Sequence, residues 1–127
     1  MAEKAKILII DDEEDFAYFI KLNLESTDRF EVLTSTSGQD GINLAMEKKP
    51  DLIFIDILMP EMHGTEVAEI LLQNRATKSI PMIYLTAVAT KKDVETKGGV
   101  IGGRQFIAKP VTAEELIEVI ESVLGDV

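Results

Sequence analysis

The feature that most limits the fold of this chain is a set of short segments that are apolar on both faces. KILII at 6–10, DLIFID at 51–56 and PMIYLTA at 81–87 carry branched and aromatic residues side by side rather than in alternation. Strands of this kind need cover on both sides, which is the situation of parallel sheets wrapped by crossover helices. The intervening stretches have helical spacing. Phe16, Ile20 and Leu24 recur every four residues in a predicted helix over 13–26. FEVLTS at 30–35 alternates and suits an edge strand. Ser37 is placed to cap a helix running to about residue 48, which Pro50 stops. A third helix is predicted from Gly64 to about Asn74, with Val67, Ile70 and Leu71 on one face. FIAKP at 106–110 reads as a short last strand. The final helix opens with Thr112 and Glu115 in capping-box spacing, buries Leu116, Ile117, Ile120, Val123 and Leu124, and ends at Gly125.

Strand and helix thus alternate five times, the signature of a doubly wound α/β sheet with helices on both faces. One stretch is irregular. KKDVETKGGVIGG at 91–103 contains four glycines, each of which weakens a helix by up to about 1 kcal/mol relative to alanine. The fourth helix is therefore expected to be short or mobile, near 90–97, and to be followed by a flexible segment at 98–103.

At 127 residues the chain has the size of one domain, expected to occupy residues 1–127 with no output domain. There is no cysteine and one histidine, His63, which leaves no set of zinc ligands and no disulfide framework. No apolar run has the length of a signal peptide core or a membrane span, so a cytoplasmic protein without membrane insertion is expected. The net charge of −10 argues against direct contact with nucleic acid, which demands a basic face. Five consecutive acids, DDEED at 11–15, directly follow the first strand. Acids suit a helix start, but five in a row also invite a cation.

Ligands of open α/β sheets bind beyond the carboxyl ends of the strands. In this chain those ends carry Asp11 and Asp12, Asp56, Thr86, and Lys109. Taken singly, an acidic pair is a helix cap, a threonine is a strand former and a lysine before proline is a loop residue. Asp56 is harder to explain away, because it terminates a fully apolar strand. Taken together they compose a coherent chemistry. Two or three carboxylates can hold magnesium, which takes oxygen ligands and retains waters. A carboxylate can also be a nucleophile toward phosphorus. A lysine and a hydroxyl can then satisfy phosphoryl oxygens.

In the ordered set ILIIDDEED, DLIFIDILMPEMHG, YLTA and FIAKP, the whole chain resembles a response-regulator receiver domain of two-component signalling, of the stand-alone type. The resemblance implies a flavodoxin-like, five-stranded parallel sheet in the order 2-1-3-4-5. It implies that Asp56 is the phospho-acceptor, that Asp11 and Asp12 sit at a Mg2+ ion with Asp12 the direct ligand, and that Leu58 offers its backbone carbonyl to that ion. Thr86 matches the switch hydroxyl, Phe106 the aromatic that moves with it, and Lys109 the lysine that pairs with the phosphoryl group. The Lys109–Pro110 bond is expected to be cis. The implied partners are a histidine kinase or histidine phosphotransfer protein, and a downstream protein target in trans. The chain would be a phospho-acceptor rather than a turnover enzyme.

The match has departures. Leu58 and Val88, two residues past Asp56 and Thr86, are apolar where the family borders the path of the attacking water, which implies slow loss of phosphate. Arg104 and Gln105 stand where an acidic pair is frequent, and with the glycine-rich segment they put the usual output face in question. His63, in a turn beside Gly64, is read as a surface residue rather than a relay histidine. An aspartate-nucleophile phosphohydrolase would want an acid where Leu58 stands, and a flavin carrier would not place DDEED after its first strand. The remaining alternative is a docking module that works without phosphorylation.

Overall fold

The computed structural model describes residues 4–87, 100–101, 104–109 and 111–125. The expected fourth helix, Val88, the glycines of 98–103 and the Lys109–Pro110 bond lie outside the described residues. Strands β1 (Ala5–Ile10), β2 (Phe30–Ser35), β3 (Leu52–Asp56), β4 (Met82–Thr86), β5 (Val100–Ile101) and β6 (Arg104–Ala108) form one sheet. The described helices are α1 (Glu14–Glu25), α2 (Gly38–Lys48), α3 (Gly64–Leu72) and α4 (Ala113–Leu124).

The sheet order is β2-β1-β3-β4-β6-β5. The first five in that order are mutually parallel, so the expected 2-1-3-4-5 arrangement is the one observed. β5 was not expected. Its two residues pair antiparallel with Gln105 and Arg104, within a stretch read as flexible.

The two-residue period of the strands divides the core into two halves. Ile7, Ile9, Leu52, Phe54, Ile83 and Leu85 pack with Ala17, Ile20 and Leu24 of α1 and Leu116 and Ile120 of α4. Leu8, Ile10, Ile53, Ile55, Tyr84 and Phe106 pack with Ile42 and Ala45 of α2 and Val67, Ala68 and Leu71 of α3. This is why the strands carry no polar alternation. Ile70 was assigned to the buried face of α3 but is 38% exposed. The face that meets the sheet runs through Gly64, Val67, Ala68 and Leu71, the i, i+3, i+4, i+7 stripe.

Two boundaries follow their local chemistry. The Ser37 side chain accepts a hydrogen bond from the Asp40 N–H, and Lys49 closes α2 in the left-handed region at φ 47°. At α4, Thr112 Oγ1 accepts from the Glu115 N–H at 3.1 Å while Glu115 Oε1 accepts from the Thr112 N–H at 3.3 Å. Thr112→Ala is expected to lower stability by about 1 kcal/mol in urea denaturation, because it frees a helix-end donor. A change under about 0.3 kcal/mol would show that this cap carries no weight.

The outer edge of β2 is covered by side chains of α1. Lys21 Nζ donates to the Val32 carbonyl at 2.8 Å, and the Val32 N–H donates to Glu25 Oε2 at 3.1 Å. Lys21 and Glu25 are themselves paired at 3.7 Å. Among the described residues no helix is long and apolar enough to cross a membrane.

Candidate functional site

The parallel register delivers the carboxyl ends of β1, β3, β4 and β6 to one edge of the sheet. Ile10 of β1 lies beside Ile55 of β3, which brings Asp11 and Asp12 next to Asp56. The Ile57 N–H donates to the Leu85 carbonyl at 3.0 Å, and the Lys109 N–H donates to the Thr86 carbonyl at 2.8 Å. Side-chain oxygens of Asp11, Asp12 and Asp56 all lie within 4.8 Å of one another. Asp11 and Asp56 are buried, and Asp12 is exposed.

The loop after β3 is tightly closed. The Gly64 N–H donates to the Ile57 carbonyl at 2.8 Å. A methyl group on Gly64 would collide with the Asp56 carbonyl oxygen and come 2.9 Å from Ile55 Cγ2. Only a glycine lets α3 start this close to the strand end. Within the loop, the Leu58 N–H donates to Asp56 Oδ1 at 3.3 Å, and the Leu58 side chain is 47% exposed. His63 precedes α3 as its N-cap, exposed, with its N–H donating to Glu66 Oε1 at 3.3 Å. That position is the surface one expected for it.

Lys109 is the cation of the site. Its Nζ stands 2.7 Å from Asp11 Oδ2, 2.6 Å from Glu13 Oε1 and 3.6 Å from Asp56 Oδ2. It also lies 4.6 Å from the centre of the Phe16 ring. Asp11 anchors the turn into α1, with Oδ1 accepting from the Glu13 N–H at 2.8 Å. Its buried Oδ2 faces the Lys109 ammonium at 2.7 Å.

Like charges crowded in a dry place are hard to keep ionised. Burial, then the Asp11 charge, push the Asp56 carboxyl up to about 7, and Lys109 opposes them only in part. Burial also raises Asp11, again against the pull of Lys109. For Lys109, burial works to lower its pKa, but hydrogen bonds to Asp11 and Glu13 outweigh it and the net shift is upward. A divalent cation would relieve this crowding. The donors are hard carboxylate oxygens of three residues, all within 4.8 Å of one another, which fits Mg2+ or a similar oxygen-seeking ion.

Thr86 ends β4 and is buried at the same edge. Phe106 is not at that edge. It pairs with Tyr84, two residues back from Thr86, and is 1% exposed within the core on the α2 and α3 side. Glu13 was read only as part of DDEED, and Phe16 only as part of the apolar stripe of the first helix; neither was placed at the site. A turn anchored by Asp11 returns the chain over its own strand end, and that turn was the available signal.

The profile of the response regulator receiver domain family matches residues 7–121. The chain belongs to that family. This receiver is 37% identical over 124 residues to Protein PilH of Pseudomonas aeruginosa, spanning 95% of this chain and 98% of that protein. It is 35% identical over 122 residues to the polar-differentiation response regulator DivK of Brucella ovis, spanning 94% and 96%. In structure the receiver resembles the chemotaxis protein CheY4 of Vibrio cholerae, with a TM-score of 0.80 and 25% identity over 95% of this chain and 99% of that one. The doubly wound, flavodoxin-like sheet is therefore the receiver fold, and the acidic edge is the place to look for its chemistry.

Proposed function

We propose that this receiver accepts a phosphoryl group on Asp56 from a histidine kinase or histidine phosphotransfer protein and relays that state to a cytoplasmic protein target in trans. The observation that supports this reading is the clustering of Asp11, Asp12 and Asp56 within 4.8 Å, with Lys109 alongside. In the transfer, an Asp56 carboxylate oxygen forms a bond to phosphorus as the donor's bond to phosphorus breaks, and the departing group keeps the electron pair. No oxidant or reductant is needed.

Asp11, Asp12 and Asp56 would hold Mg2+, with the Leu58 carbonyl as a further ligand. The ion, when bound, offsets charge on the phosphoryl oxygens. Lys109 would pair with one phosphoryl oxygen, and the Thr86 hydroxyl would donate to another. Thr86 and Phe106 lie on adjacent strands, so a shift of Thr86 toward the phosphoryl group would be felt in the core around Phe106. Two arrangements of that core would supply the switch. The domain is a stoichiometric acceptor and not a turnover enzyme.

Intact mass after incubation with magnesium and a small acyl phosphate tests this. A gain of one phosphoryl group in the wild type, absent in Asp56→Asn and without magnesium, is the expected result. No gain from the acyl phosphate or from any histidine kinase would leave the receiver as a docking module. A smaller effect concerns how long the phosphoryl group stays. The exposed, apolar Leu58 cannot orient an attacking water, and neither can Val88 by its residue type. Leu58→Asn with Val88→Glu is expected to speed phosphate loss by about tenfold, equivalent to about 1.4 kcal/mol of barrier. An unchanged half-life by the same mass measurement would refute it.

A further inference from the structure

We infer that Glu13 is a positioning residue that sets where the Lys109 ammonium stands and thereby restrains phosphorylation. This inference rests on the phospho-acceptor reading of Asp56. An ammonium has three protons to donate. Lys109 spends its two shortest contacts on Asp11 Oδ2 at 2.7 Å and Glu13 Oε1 at 2.6 Å. Asp56 Oδ2, at 3.6 Å, is beyond hydrogen-bond reach.

Glu13 is the N-cap of α1, and Phe16 lies in its first turn. The Phe16 ring, 4.6 Å from Nζ, is a further attraction on the cation. Asp11 is 0% exposed and is fixed by its own bond to the Glu13 N–H. The Glu13 side chain, 60% exposed, is the contact that can be given up. A phosphoryl group arriving at Asp56 draws the ammonium, now 3.6 Å from Asp56 Oδ2, toward its own oxygens, so Glu13 competes with it for the position of Lys109. Substituting the exposed carboxylate leaves the Glu13 N–H bond to Asp11, and hence the turn, in place.

The step measured is formation of the Asp56 oxygen–phosphorus bond from an acyl phosphate, with the acyl carboxylate leaving. Rates by intact mass in saturating magnesium are compared for wild type, Glu13→Gln and Glu13→Asp, each also in a Lys109→Gln background. Glu13→Gln and Glu13→Asp are both expected to raise the rate about fivefold with Lys109 present. In the Lys109→Gln background the expected change is under twofold. Glu13→Asp keeps the charge but withdraws it by one methylene, so it separates contact from bulk repulsion. If Glu13→Gln accelerates while Glu13→Asp does not, or if the acceleration persists without Lys109, Glu13 only repels the donor and the inference fails. An unchanged or slower Glu13→Gln overturns it as well. A wild type that takes up no phosphoryl group, from the acyl phosphate or from a histidine kinase, overturns the phospho-acceptor reading itself, and this inference with it.

Discussion

Gly64→Ala is expected to destabilise the protein by about 3 kcal/mol, near the upper end for overpacking. At most helix starts the same change would be neutral or mildly favourable, because alanine restricts the unfolded chain. Here the added methyl would meet backbone, the Asp56 carbonyl oxygen and carbon, with Ile55 Cγ2 at 2.9 Å. Backbone at the end of a central strand cannot turn aside as a side chain can. Either α3 lifts from β3, opening the contacts of Val67, Ala68 and Leu71, or the Ile57–Gly64 bond breaks and the loop after Asp56 shifts. Urea denaturation would read the first as a midpoint lowered by more than about 1 M, given slopes of about 1–3 kcal/mol/M. A surviving but displaced loop would be read as a slower phosphorylation rate. A loss under about 1 kcal/mol with unchanged phosphorylation would mean that the close approach is not maintained in solution.

Asp56→Asn is expected to make the metal-free protein more stable at pH 8. The Asp56 carboxyl is raised from 3.8 to about 7 in the folded state, chiefly by burial and by Asp11. A raised acid binds its proton more tightly when folded, so its favourable contribution is complete below about pH 4 and is lost as pH rises through 7. At about 1.4 kcal/mol per unit, this sets a penalty on the order of 2–4 kcal/mol for ionised Asp56 at pH 8. Its neighbours Asp11, Asp12 and Lys109 share in that figure. Asparagine removes the penalty at similar volume. Chemical denaturation in chelator should therefore show wild type falling below Asp56→Asn between pH 5 and 8, with the two converging as pH falls toward 4. Magnesium should narrow the gap at pH 8, because an ion held at 100 times its dissociation constant stabilises by about 2.7 kcal/mol. Equal stabilities at pH 8 in chelator would show that the carboxylates are better solvated than their burial implies.

Much of the site was legible because it is a product of topology. Asp11, Asp12, Asp56, Thr86 and Lys109 each follow an apolar strand, and parallel strands must end on the same side. Strand ends can be read one at a time, so no contact had to be guessed. The missed residues depend on what happens after the strand has ended. Glu13 reaches Lys109 only because the chain turns back at Asp11, and Phe16 reaches it from the first turn of α1. Gly64 looked like an ordinary turn glycine, and its significance is a distance to backbone that no spacing encodes. Ile70 was misplaced because an apolar residue beside Leu71 was taken for the buried stripe, which the shorter i, i+3, i+4 pattern excludes. The β5 pairing was not foreseen, because the glycines in the sequence around Val100 and Ile101 argue against regular structure.

The Lys21 and Glu25 clamp on Val32 bears on how this molecule treats copies of itself. A sheet margin with free amides and carbonyls recruits any extended chain it meets. On β2 the central pair is already taken by a helix of the same molecule, so an approaching strand would find its ladder interrupted midway. The protection is made of charge, not bulk, and so fades as salt rises. Crowding alone should leave this receiver monomeric along that margin, while high ionic strength should loosen its refusal to stick to its own kind.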